Sequence, residues 1–206
     1  MRDKILKALT ELRNKTEKRK FSQSIDLIVS FKGLDLKKPE SKFSEDLFLP
    51  NGRGDDADIV VFSDALTEVG CKVLNGSDIQ TLATKKSDVK KLSAETDFFL
   101  AEAPLMPQIG RIFGQTLAPK NKMPKIIAGD VRKMVENYKR AVRLAVKSSP
   151  TIQCIVGKEK MDDGEIVDNV ETVLKFLEGK LPRGRQNMNK VLLKFTMSKP
   201  VKIEVG

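Results

Sequence analysis

Ile25, Leu27, Val29 and Phe31 alternate with Ser24, Asp26 and Ser30, a period of two that predicts a strand with one buried face. Ahead of it, Ile5, Leu9 and Leu12 fall at i, i+4 and i+7. That spacing predicts a terminal helix with a single apolar stripe and a Glu11–Lys15 pair on its surface. A shorter strand is expected over 46–50, closed by Pro50 and the turn-rich Asn51-Gly-Arg-Gly54, and a domain boundary is placed there.

Beyond residue 55 the pattern changes to short, continuously apolar runs, 59–62, 72–74 and 98–101. Each has the length of a strand buried on both faces, as in a parallel sheet covered by helices. Helices are expected over 63–70 and 77–95 between them, a βαβ layout. The stretch 98–125, broken by Pro104, Pro107, Gly110, Gly114, Pro119 and Pro124, reads as a stiff, non-helical basic loop without an acid after Glu102. Asp130 then caps a helix with Val131, Met134, Val135, Tyr138 and Val142 on one face.

From Arg143 the first pattern returns. Residues 143–146 and 151–156 read as a hairpin around Ser148-Ser-Pro150. A helix capped by Asp162 or Asp163 comes next, with Ile166, Val170, Val173, Leu174 and Leu177 inward and Gly179 at its end. Residues 191–205 read as one strand. The two ends of the chain are alike and the middle differs. The fold class expected is α/β in two parts: a discontinuous antiparallel α+β domain (1–54 and 142–206) carrying an inserted Rossmann-like βαβ domain (55–141).

Charge narrows the partner. The 206-residue chain has 38 Lys+Arg against 28 Asp+Glu, which favours a polyanion, nucleic acid being the commonest. It has no histidine, which removes the usual general base and the commonest zinc ligand, and no tryptophan, which weakens any reading as a base-stacking platform. Cys71 and Cys154 stand alone and read as buried free thiols. No apolar run is long enough to span a membrane, and the charged N-terminus reads as mature cytoplasmic sequence. The βαβ part carries no phosphate-binding glycine motif, so no cofactor is expected. Basic residues cluster at Lys18-Arg19-Lys20, at Lys120 to Lys125, and along Lys180, Arg183, Arg185, Lys190, Lys194, Lys199 and Lys202. The first and last flank strands of one proposed sheet and could converge on a phosphate-binding surface.

Six separated segments carry a resemblance: KRKFSQSIDLIVSF, LPNGRG, DFFLAEAPLMPQIGR, LAPKNKMPK, VGKEKMDDGEIVDNV and FTMSKPVKI. Together, and in this order, the chain resembles the family of the large-subunit ribosomal protein of the mobile stalk, "L one", in its archaeal form. The resemblance implies a non-enzymatic, cytoplasmic ribosomal protein, monomeric off the ribosome. Its implied partners are large-subunit ribosomal RNA, exit-site tRNA and its own mRNA, whose translation it would repress. It implies RNA recognition by Lys20, Phe21, Ser24 and Asp26 in the first segment and by Thr196 and Met197 in the last, continued by Ser198 and Lys199. By pattern alone Phe21 and Met197 would be core residues. Ser198 stands where the family has glycine, and 118–124 departs from the family's Gly-Pro-Arg-Gly-Lys-Met-Pro loop. Lys120, Lys122 and Lys125 on that loop are expected to make a second RNA contact. An RNA-modifying transferase and a DNA-binding regulator are the competing readings. A cofactor-binding assay would separate the first, and competition between structured RNA and duplex DNA the second.

Overall fold

In β1 (Ser24–Phe31) alternate residues are buried, and the strand lies between two antiparallel neighbours, β8 (Thr151–Lys158) and β9 (Met188–Phe195). A short β10 (Val201–Ile203) completes a sheet of order β10-β9-β1-β8. These relations come from a computed structural model, which describes residues 1–17, 19–38, 41–66 and 69–204, and for Lys86 the backbone alone. Lys18 of the first basic cluster thus lies outside the described residues.

Two helices, α1 (Arg2–Lys15) and α6 (Asp163–Lys180), cover one face of this sheet. Ile5, Leu9 and Leu12 of α1 and Ile166, Val170, Val173 and Leu177 of α6 meet Ile25, Leu27, Val191 and Leu193 in one core. Asp162 is the N-cap of α6, in a capping box with Glu165. The helix runs through Gly179 to Lys180, so the expected glycine stop is absent, and the cap is Leu181, just before Pro182. On the surface Lys15 pairs with Glu11, as the spacing predicts.

The expected hairpin of 143–146 with 151–156 does not form. β7 (Ala141–Val146) pairs instead with β2 (Phe43–Phe48) in a two-stranded sheet, while β8 joins the four-stranded one. Val142 belongs to β7 and not to the preceding helix. The single strand expected over 191–205 is broken at Thr196–Pro200 and folds back, so that Val201 pairs with Leu193 and Ile203 with Val191. Pro200 has no N–H for a ladder, which is the local reason for the break.

The chain divides into two compact units, Met1–Asp55 with Arg140–Gly206, and Asp56–Lys139. The second holds an all-parallel sheet of order β4-β3-β5-β6, from β3 (Ile59–Phe62), β4 (Lys72–Leu74), β5 (Phe98–Ala101) and β6 (Lys125–Ile126). Alternate residues of β3 and β5 face opposite layers and all are buried, which explains their continuously apolar sequences. Phe62 packs on Phe99 and Phe113 at ring separations of 5.9 and 5.6 Å. On the other face Phe98 meets Tyr138 of α5 (Val131–Lys139) at 5.3 Å. Asp130 accepts the N–H of Arg132 at the start of α5.

Three expectations for this unit are corrected. Residues 63–66 and 69–70 are bends and irregular backbone, not helix, and Thr67 and Glu68 lie outside the described residues. The helix over 77–95 is two helices, α2 (Gly76–Thr84) and α3 (Lys86–Glu95), parted at Lys85. The stiff loop of 98–125 contains α4 (Met106–Leu117). Pro107 sits in its first turn, where a missing N–H costs nothing, and no atom lies within 4 Å of where a Cβ would stand on Gly110 or Gly114.

The βαβ unit offers a nucleotide little. At the carboxyl ends of β3 and β5, Ser63 Oγ donates to Glu102 Oε1 at 2.5 Å. The Gly76 N–H that begins α2 is taken by Asp64 at 2.7 Å. A phosphate would meet acids there and find that donor used.

Candidate nucleic-acid interface

The start of β1 and the turn after β9 are 172 residues apart in sequence and are hydrogen-bonded together. Thr196 N–H donates to the Ser24 carbonyl at 3.1 Å, and Thr196 Oγ1 accepts from Ser24 N–H at 3.2 Å. Met197 N–H donates to Oε1 of Gln23 at 3.1 Å. Ser198 Oγ accepts from Phe195 N–H at 2.9 Å, and Ser198 N–H donates to the Phe195 carbonyl at 3.1 Å. Three side chains thus fix a turn that would otherwise flex.

The turn presents an apolar, exposed surface. Phe21 is 53% and Met197 63% exposed, two of the five exposed large apolar side chains among the described residues. Such residues at a fixed surface point are anchors for a partner rather than part of the protein's own core. The expectation from pattern alone that they are core residues is therefore corrected. Arg19, Lys20 and Lys199 are exposed beside them in sequence. An open groove of about 720 Å³ runs past Met197 and Lys199 between Lys15, Arg19 and Lys202.

Asp26 lies one pleat further along β1, on the sheet face away from the helices and opposite Lys194. Burial pushes its carboxyl above the ordinary value, opposed by a hydrogen bond from Gln153 and by the Lys194 charge. Cys154 is buried, and its thiol is pushed up to about 12, mainly by desolvation and further by the Asp26 charge, which favours the neutral thiol. Both cysteines are free thiols, but Cys71 is only partly buried, which corrects its reading as a buried one.

The structure therefore brings Ser24, Thr196, Met197 and Ser198 together through hydrogen bonds, with Lys20, Phe21, Asp26 and Lys199 close to them in sequence. Lys120, Lys122 and Lys125 belong to the other compact unit. Two of these three lysines have internal work. Lys122 Nζ donates to the carbonyls of Thr96 at 2.6 Å and Ser93 at 3.1 Å, capping the end of α3, and Lys120 Nζ donates to Ser93 Oγ at 2.7 Å. Lys125 is exposed on β6.

Gln23 is a residue that sequence reading passed over. It is 0% exposed, its N–H donates to Glu159 and its carbonyl accepts from Glu159 N–H, while its Nε2 has no hydrogen-bond partner among the described residues. Its position gave a signal, since residues 23, 25, 27, 29 and 31 share one phase and Gln23 is the polar member. Arg13 of α1 ties the neighbouring loop, bonding Asp163, the Glu159 carbonyl and the Met161 carbonyl at 2.8, 2.8 and 3.1 Å.

Ser198 needs no glycine-like backbone, since Asn121 is the one described non-glycine residue with positive φ. Ser198→Gly is expected to lower fold stability by about 1–2 kcal/mol, through the lost bond to Phe195 N–H and the greater entropy of glycine. RNA affinity should change by less than about 1 kcal/mol, because the hydroxyl is already used inside the turn. Denaturant titration and RNA binding on one sample check both; a large affinity loss with an intact fold would make the hydroxyl a contact.

Comparison with known proteins agrees with this geometry. Residues 13–199 match the model of the ribosomal protein L1p/L10e family. Large ribosomal subunit protein uL1 of Pyrococcus abyssi is 39% identical, over 98% of this chain and 96% of its own. The proteins of the same name from Methanobrevibacter smithii and Thermoplasma acidophilum are each 36% identical, over 98% of this chain and 100% and 96% of theirs. None of these names is that of an enzyme, and the transferase reading gains nothing from them. With a family match spanning both sides of the hydrogen-bonded turn and relatives covered almost end to end, the chain belongs to the ribosomal protein L1p/L10e family, in its archaeal type.

Proposed function

We propose that this chain is a structural constituent of the large ribosomal subunit that binds large-subunit ribosomal RNA of the mobile stalk beside the exit site for tRNA. It also represses its own message through an RNA that mimics that site. The observation that carries the RNA reading is the fixed turn displaying Phe21 and Met197 among Arg19, Lys20 and Lys199. Phe21 and Met197 cover the RNA surface, Lys20 and Lys199 meet phosphates, and Ser24, Asp26 and Thr196 give the polar contacts that fix register. Ser198 holds the turn. Lys125 supplies a second, weaker contact from the other unit.

Binding of the full chain to a transcript of large-subunit ribosomal RNA, with duplex DNA as competitor, tests this reading, together with co-sedimentation with large subunits. Equal affinity for the two nucleic acids would defeat it. A transcript of the protein's own message that binds no better than an unrelated one would remove the repressor role alone. Thr196→Val is expected to weaken binding by about 1–3 kcal/mol, because a hydroxyl at the interface is lost and Ser24 N–H loses its acceptor. Wild-type affinity in that variant would take Thr196 out of recognition.

A further inference from the structure

The sheet face away from α1 and α6 carries Lys190, Leu192 and Lys194 on β9, Asp26, Ile28 and Ser30 on β1, and Lys202 on β10, none of them fully buried. Register places Lys194 beside Asp26, Leu192 beside both Ile28 and Lys202, and Lys190 beside Ser30. Three lysines thus surround a partly buried aliphatic centre. Other cations of the same basic tail are neutralised, Lys180 by Glu45 at 2.6 Å and Arg185 by Glu178 at 3.8 Å. Lys190, Lys194 and Lys202 have no ion pair within 4.0 Å among the described residues. The face is continuous with the recognition turn through β9, which ends at Phe195, and through the groove that Lys202 lines.

We infer that this open face is an extension of the RNA interface, over which the sugar–phosphate backbone of the bound RNA continues from the Thr196–Met197 turn, its phosphates on Lys190, Lys194 and Lys202. The inference rests on the RNA-binding function proposed above. The three lysines outnumber Asp26, the acid opposite Lys194, and this net positive charge selects a polyanion. The face has no aromatic ring on which bases could stack, so the contact is with backbone and carries no sequence preference. Ile28 and Leu192 give the sugars an apolar bed between the three charges.

The test is a Lys190→Gln/Lys194→Gln/Lys202→Gln variant of the full chain, titrated with the large-subunit ribosomal RNA transcript at several salt concentrations. Each lost phosphate contact lowers the slope of log affinity against log salt by roughly 0.7–0.9, so a drop of about two units is expected. The preference for this transcript over an unrelated RNA should stay as in wild type. Thermal unfolding confirms that the variant is folded. If wild type binds specifically and the variant keeps its slope, the face lies outside the interface and the inference falls, while the proposed function stands. If wild type itself shows no preference, the proposed function fails first. A variant that binds free RNA with an unchanged slope yet enters large subunits poorly would assign the face to an acidic protein surface and overturn the inference.

Discussion

Replacing Phe21 and Met197 together by alanine is expected to weaken specific RNA binding by roughly 2–4 kcal/mol, about 30- to 1,000-fold. Both side chains are more than half exposed in the free protein, so the fold owes them little. The free energy they hold in reserve is the apolar area that a partner would cover, about 1–2 kcal/mol each for the exposed fraction. No charge is removed, so the salt dependence should match wild type, in contrast to the lysine variant. Affinity within a factor of about three of wild type would move the interface away from this turn. A fall in unfolding midpoint as large as the loss in binding would instead mean that the two side chains serve the fold.

Asn169→Leu is expected to cost about 2–4 kcal/mol of stability, the largest effect on the fold. Asn169 is 0% exposed within the apolar stripe of α6. Its Nδ2 donates to the carbonyls of Gly52 and Val156 at 2.7 and 2.8 Å, and its Oδ1 accepts from Asn51 N–H at 3.2 Å. Leucine fits the volume but leaves these main-chain groups without partners, each costing on the order of 1 kcal/mol or more beyond the apolar gain. Urea titration of the variant checks this. Wild-type stability would show that the 51–54 turn finds other donors when Asn169 is gone.

The parts of the fold that were legible in the sequence are those set by local periodicity and by layers that cover both faces. The alternation in β1, the apolar runs of β3 and β5 and the stripe of α6 were each sufficient by themselves. In α4 the periodicity was also present, as Ile109, Phe113 and Leu117, but proline and glycine were given more weight than they carry at a helix start and on an outer face. The partner of β7 and the fold-back of β10 depend on pairing between distant residues, which no local pattern encodes. At the site, the resemblance supplied Phe21 and Met197, since pattern alone puts apolar residues inside. Gln23 and Asn169 were visible as polar residues in buried phase, but their main-chain partners were not. The inward turn of Lys122 rests on the end of α3, a helix that closes at Glu95, and composition cannot show that relation.

The place of β1 in its sheet also sets an order of events in time. Among the described residues its ladder partners are β8 and β9, both encoded after the whole unit Asp56–Lys139. That unit pairs its four strands within itself and can close as soon as it is synthesised, whereas β1 must wait for β8, which begins at Thr151, and to be paired on both edges for β9, which begins at Met188. At roughly 5–20 residues per second the wait after Phe31 is on the order of ten to thirty seconds. Until β8 has been made, a strand whose Ile25, Leu27, Val29 and Phe31 are destined for the core stands with both edges open, and one edge stays open until β9 follows, so wrong pairing is the hazard. The recognition turn, which needs Ser24 against Thr196, therefore cannot exist until both sides of a span that encloses the whole unit Asp56–Lys139 have been made.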